Sequence, residues 1–225
     1  MRTAMMALYG CGVDLAFVHG GGSFGHTMAL RYGLTSSKYQ KSSAGVSETR
    51  LAMHNLSYLV YIQLSKAGFK PYLLHANSML GADGSPVAGY DRRLSALVKS
   101  GLTPLTHGDV MLFDRGYKIV SGDKLAQLFC KALMPARMVY VFDQPGILKR
   151  AGDPSSLIER LTIGQAKKMV LEGARDATGG IAAKLKVACE VASMGIDTCF
   201  VSGFNRDGLI RAVSGERFEG TLLQR

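Results

Sequence analysis

Short apolar runs recur along the chain, each closing on a small or polar loop, and amphipathic stretches fill the intervals between them. That alternation predicts an α/β class, a parallel sheet with crossover helices. Strands are expected at Leu15 to His19, Pro71 to His75, Thr103 to Thr106, Met138 to Phe142 and Ile196 to Val201, all rich in Val, Leu, Phe and Tyr. A long helix is expected over Ser47 to Ala67, with Leu51, Tyr58, Leu59 and Ile62 along one side and Gly68 as its terminator. Thr162 and Gln165 form a capping box for a second helix ending near Gly173. Two more helices are expected, Lys124 to Leu133 with Asp123 as N-cap, and Ile181 to Met194 stopped by Gly195. The turn-rich stretch between Leu80 and Arg92 reads as a hairpin or surface loop, and Leu112 to Val120, around Asp114-Arg115-Gly116, as another hairpin.

Composition narrows this picture. With 225 residues, 47% of them hydrophobic, and 27 glycines, the chain fits one large α/β domain or two closely fused small ones. A chain of this size buries roughly 70% of its unfolded surface and needs neither disulfides nor a structural metal. Cys11, Cys130, Cys189 and Cys199 are scattered and form no CxxC, so reduced thiols in a cytosolic protein are expected. Neither a signal sequence nor a run of eighteen apolar residues is present, so neither export nor membrane insertion is expected. Lys+Arg 27 against Asp+Glu 17 gives a net charge of +10, which favours anionic partners. The basic residues form no continuous run and are not interleaved with aromatics, which argues against nucleic acid and leaves phosphorylated small molecules.

Four segments could handle phosphate. The first, His19-Gly20-Gly21-Gly22-Ser23-Phe24-Gly25-His26, follows a strand and precedes a helical stretch; its glycines let backbone N–H groups approach an anion, to which His26 adds a donor. A plain strand-to-helix turn with a surface histidine explains such a run equally well. In Ser121-Gly122-Asp123, Gly122 leaves backbone open beside a helix N-terminus. Asp143, in Phe142-Asp143-Gln144-Pro145-Gly146, closes a buried strand where open α/β sheets place ligands, or merely starts a turn. In Asp176-Ala177-Thr178-Gly179-Gly180-Ile181-Ala182-Ala183-Lys184, Lys184 follows Gly180 by one helical turn and can reach back to an anion at the helix start, although exposed helix lysines are usually just solvated. No GxxxxGK[ST], GxSxG or metal-ligand spacing is present, which excludes a P-loop and removes the support for a hydrolase elbow or a zinc site.

Taken in order, HGGGSFGH, SGD, the strand ending at Asp143 and Gly146, DATGGIAAK and Glu219-Gly220-Thr221 resemble the amino acid kinase superfamily and, within it, the isopentenyl phosphate kinase family. The stretch from Lys38 to Ser47 continues in that family's manner. The resemblance implies an open, mainly parallel αβα sandwich that moves the ATP γ-phosphoryl group onto isopentenyl phosphate, with Mg2+, in a cytoplasmic homodimer. It implies Gly21, His26 and Gly122 at the acceptor, and Gly22, Asp143, Gly180 and Lys184 at the nucleotide. His26 and Lys184 would act on the transferring phosphoryl group. Two departures stand out. The family's chains open on a strand ending in a K-x-G-G-S loop with a further lysine behind it, whereas Met1 to Gly10 reads as the helix that would follow. The expectation is therefore a single kinase domain over residues 1–225 lacking its first βα unit of about 30 residues. Pro145 also stands where the family's D-x-D-G pattern has a second acid. The competing expectation is a phosphate- or nucleotide-binding module of the same fold with weakened or absent catalysis; a nucleic-acid-binding protein, whose binding would collapse with salt, is a third.

Overall fold

Every residue of the strand Thr103–His107 is buried, so both faces of the sheet around it must be covered. In the computed structural model, which describes residues 2–34, 42–150, 152–172 and 179–224, this strand (β3) lies between β1 (Phe17–His19) and β2 (Pro71–Leu74) in a parallel sheet. Phe17 and Leu73 flank Leu105, and His19 lies beside His107. With side chains alternating along each strand, His19 and His107 share one face, and Val18, Thr106 and Leu74 share the other.

Helix α3 (Ser43–Lys66) covers the histidine face, with Ser57 Oγ 3.0 Å from His19 Nε2. Helices α4 (Tyr90–Lys99) and α5 (Gly122–Leu133) cover the other, where Leu94, Leu125, Leu128 and Phe129 pack with Val18 and Leu74. A hairpin of β4 (Asp109–Phe113) and β5 (Gly116–Val120) follows β3 directly, starting before the expected Leu112. Helix α2 (Gly22–Arg31) packs on α3, and a small core of Ala29, Leu34, Val46 and Val110 joins it to the hairpin. These elements, with the N-terminal helix α1 (Arg2–Gly10) as far as Tyr9, form one compact unit of Met1–Tyr9 and Asp14–Leu133.

Two local expectations are corrected here. The stripe of α3 read as its packing side faces outward: Leu51, Tyr58 and Leu59 are 60%, 66% and 47% exposed. The helix buries Val46, Thr49, Met53, Ser57 and Leu64 instead. Small and polar residues fit there because the opposing strand ends carry imidazoles rather than aliphatic chains. Asp123 is not the cap of α5, since Ser121 Oγ accepts the Lys124 N–H at 3.2 Å and Asp123 sits inside the first turn, where its charge favours the helix dipole.

The second unit comprises Gly10–Val13 and Met134–Arg225. Its sheet runs β6 (Arg137–Phe142), β8 (Asp197–Ser202), β9 (Thr221–Gln224), β7 (Arg160–Thr162), with only the β8–β9 pair antiparallel. Helices α6 (Ile163–Glu172), α7 (Gly179–Ala192) and α8 (Arg206–Ser214) pack on it around Leu185, Val191, Cys199, Phe200, Val201, Leu209 and Leu223. The Thr162–Gln165 capping box forms in both directions: Thr162 N–H donates to Gln165 Oε1 at 2.9 Å, and Gln165 N–H to Thr162 Oγ1 at 3.2 Å. Burial pushes the Cys130 thiol of the first unit up to about 12 and the Cys199 thiol up to about 11, so both serve as packing. No helix among the described residues is long and apolar enough to cross a membrane.

Candidate active site

The turn after β1 is tighter than expected, because α2 starts inside the glycine run at Gly22 (φ +47°) and takes Ser23 to His26 into the helix. Gly25 N–H donates to Gly21 O at 2.8 Å, closing the first turn. A Cβ on Gly21 would sit 3.2 Å from Gly25 Cα and 3.4 Å from His26 Cδ2, so the exposed His26 ring folds back against Gly21. Gly22 occupies the same turn, beside the pair the resemblance implies for the acceptor.

Gly122 lies at the same sheet edge. Gly108 N–H donates to His19 O at 3.2 Å. A Cβ on Gly108 would meet Gly122 N at 2.8 Å, and one on Gly122 would meet His19 O at 3.1 Å. Three chain crossings, out of β1, out of β3 and into α5, thus touch through their backbones, which only glycine permits. In this unit Gly21, Gly22, His26 and Gly122 therefore come together around two helix N-termini, whose N–H groups suit an anion.

Beneath that edge lies a histidine cluster with no spacing signature. His19 stacks on His107, with centroids 5.2 Å apart at 22°. Burial pushes the His19 imidazole down to about 4, against a smaller opposing effect of its hydrogen bond to Gly20 O. His107 is fully buried, donates from Nδ1 to Gly108 O at 2.9 Å, and is likewise lowered by burial. Its Nε2 has no partner among the described residues. His54 and His75 pack at 5.4 Å from each other and at 6.2 and 6.1 Å from His107. Asp109, whose side chain is buried, faces the Arg50 guanidinium at 3.4 Å. One signal for this cluster was available: His19, His75 and His107 each end or follow a strand, and in a parallel sheet those ends share an edge.

In the second unit β6 and β8 run parallel, and Gly203 N–H donates to Phe142 O at 2.8 Å, so both strands finish at one edge. Asp143 lies there, exposed. Helix α7 leads into β8 and runs back along the sheet, bringing its N-terminal turn, with exposed Gly180, to the same edge. Among the described residues, nothing would lie within 4 Å of a Cβ on Gly180. Half-buried Lys184 extends its Nζ to 5.8 Å from the Tyr140 ring of β6. An open cleft of about 420 Å³ at this edge is lined by Pro145, Pro154, Ser202, Phe204, Asn205 and Glu219. Asp176, Ala177, Thr178, Gly173 and Lys38 to Lys41 lie outside the described residues.

Each unit thus offers glycine turns and helix N-termini at the carboxyl edge of a mainly parallel sheet, an arrangement that handles phosphate groups. The chain belongs to the amino acid kinase family, whose profile matches residues 4–202. Among its relatives, the isopentenyl phosphate kinase of Thermoplasma acidophilum is 28% identical over 231 residues, covering 100% of this chain and 90% of that protein. That of Haloferax volcanii is 32% identical over 208 residues, covering 89% and 78%. A solved product complex of the Thermoplasma acidophilum enzyme matches with a TM-score of 0.77 at 25% identity, over 99% of this chain and 91% of that one.

Proposed function

We propose that this chain transfers the γ-phosphoryl group of ATP to isopentenyl phosphate, giving isopentenyl diphosphate and ADP. The observation that carries this reading is the turn of Gly21, Gly22 and His26, closed against Gly108 and Gly122, in a chain related over most of its length to several isopentenyl phosphate kinases. A phosphate oxygen of the acceptor attacks the γ-phosphorus while the bond to ADP breaks. Phosphoryl transfer of this kind asks the protein for positioning and charge neutralisation more than for covalent chemistry. The backbone at Gly21 and Gly122 holds the acceptor's phosphate, and His26 donates to one of its oxygens. Gly22 and Gly180 let the chain approach the nucleotide closely, and the Lys184 ammonium neutralises charge developing on the transferring group.

Mg2+ arrives with ATP as part of the substrate. Mg2+ keeps several waters and needs only one or two carboxylates, and exposed Asp143 fits that need without a second acid at Pro145. A homodimer is also proposed, with the outward stripe of Leu51, Tyr58 and Leu59 on α3 as the apolar face it would cover. The buried thiols of Cys130, Cys189 and Cys199 support a reducing, cytoplasmic location.

The test is 31P NMR of the chain with ATP, Mg2+ and isopentenyl phosphate. A growing diphosphate doublet pair with matching ADP is expected; ATP and isopentenyl phosphate that both bind but stay unconverted would overturn the reading in favour of a non-transferring module.

A further inference from the structure

The histidine cluster of the first unit brings together three metal-ligating side chains away from the acceptor turn. Donor atoms of His54 on α3, His75 just after β2 and Asp109 at the start of β4 all lie within 4.8 Å of one another. We propose that these three residues bind a divalent transition-metal ion of the Zn2+ class, apart from the Mg2+ carried by ATP.

The donor set comes first. Two imidazole nitrogens and one carboxylate oxygen suit Zn2+, Co2+ or Ni2+, whereas Mg2+ prefers an all-oxygen shell. Donors bound to one ion at about 2.0–2.2 Å lie roughly 3–3.6 Å apart, so the cluster must contract by about 1 Å. His54 is exposed and His75 is the last residue before a short 3-10 turn, so side-chain rotation supplies that contraction without moving a strand.

His107 provides the second observation. Its Nδ1–H is committed to Gly108 O, which leaves the lone pair on buried Nε2 without a partner, and its ring packs edge-on against both His54 and His75. A buried acceptor left unpaired is unfavourable, and a water carried by an ion at this cluster would donate to it. Charge is the third. The buried Asp109 carboxylate accepts the Val110 N–H at 2.8 Å through Oδ1, and its other oxygen faces the partly exposed Arg50 guanidinium at 3.4 Å. The ion takes over as counter-charge, and Arg50 turns to solvent. Because the ligands come from α3, the end of β2 and the start of β4, the bound ion ties the covering helix to the sheet edge beneath the acceptor turn.

Titrating Co2+ into the full chain, free of nucleotide and Mg2+, tests this. A visible d–d absorption saturating at one ion per chain and displaced by Zn2+ is expected. His54→Ala and His75→Ala should each weaken binding by more than the about 10–100-fold that losing an outer-shell partner costs, while His26→Ala and Arg50→Gln leave it as tight or tighter. His54 is exposed, so His54→Ala keeps its fold, and Zn2+ should raise the Tm of the parent chain but not of this variant. Absence of saturable Co2+ binding at micromolar concentration, or binding unchanged in the His54→Ala/His75→Ala double variant, overturns the proposal.

Discussion

At the sheet edge of the first unit, Gly108 and Gly122 are glycines because nothing larger fits: a Cβ on either would run into backbone at 2.8 or 3.1 Å. At the head of α7 in the second unit, a Cβ on Gly180 would meet no atom of the described residues within 4 Å. The same residue type therefore does two jobs. In the first unit it lets three chain crossings close on one another, so the turn proposed for the acceptor is set by packing; in the second it leaves bare the helix N-terminus proposed for the nucleotide. The units differ in titration as well. All five histidines, His19, His26, His54, His75 and His107, fall in the first unit, and the second has none.

The largest expected effects separate the two halves by ligand. On the proposed assignment His26→Ala and Lys184→Ala each remove one donor to developing or transferred charge, and losses of about 10²–10³ in kcat are expected. His26→Ala should also raise the KM for isopentenyl phosphate while leaving that for ATP within twofold, with Lys184→Ala showing the reverse. Steady-state kinetics on both substrates checks this, and parallel changes in both KM values would erase the division of labour.

Acid sharpens the contrast next. The folded pKa of His19, about 4, lies below its unfolded value of 6.5, so the unfolded chain binds the proton more readily. Stability is complete above pH 6.5 and falls as pH drops toward 4, by about 3 kcal/mol from His19 alone. His75 and His107 are depressed by burial too and act in the same direction. Hydrogen exchange at pH 4.5 should therefore show amides of β1, β3 and α3 losing protection before those of β6 and β8. Equal loss in both units would mean that the buried imidazoles do not govern acid stability.

Gly122→Ala follows. Its Cβ would press on His19 O at 3.1 Å, a backbone atom that can yield only by shifting β1, so a loss of about 1–3 kcal/mol is expected, read by thermal denaturation. A rise in the isopentenyl phosphate KM should accompany it, because the moved backbone carries the Gly21 turn.

The sequence made the strands legible because each apolar run ends where the backbone must turn. Elements whose stability comes from elsewhere were harder to read. Helix α4 fully buries Leu94 alone of its ten residues, four of which are charged, and α8 carries Gly208 inside it, yet Asn205 caps it by accepting the Gly208 N–H at 2.9 Å. Strands β7 and β9 are too short for a period-two pattern to show. On α3 the most apolar stripe faces outward, because the strand ends it covers are lined by imidazoles, and no periodicity in the helix itself encodes that lining. The glycine turns and Lys184 were visible as local motifs. His54, His75, His107 and Asp109 were not, since they meet only through the sheet's topology, and no local spacing encodes it.

The smallest effect bears most directly on the contrast between the two kinds of glycine. Gly180 does not have a positive φ and its Cβ position is vacant, so Gly180→Ala fits the native helix and reduces the freedom of the unfolded chain. A gain of about 0.4–1 kcal/mol is expected, near 1–4 °C in Tm for a chain of this size. If the bare helix start serves the nucleotide, the same methyl group stands where a phosphate must approach, and the KM for ATP should rise several-fold while that for isopentenyl phosphate stays put. A variant that is more stable and binds ATP worse would show a site kept open at a cost in stability. One that is more stable with ATP use unchanged would reduce Gly180 to an ordinary helix start and leave Lys184 to carry the nucleotide side of α7.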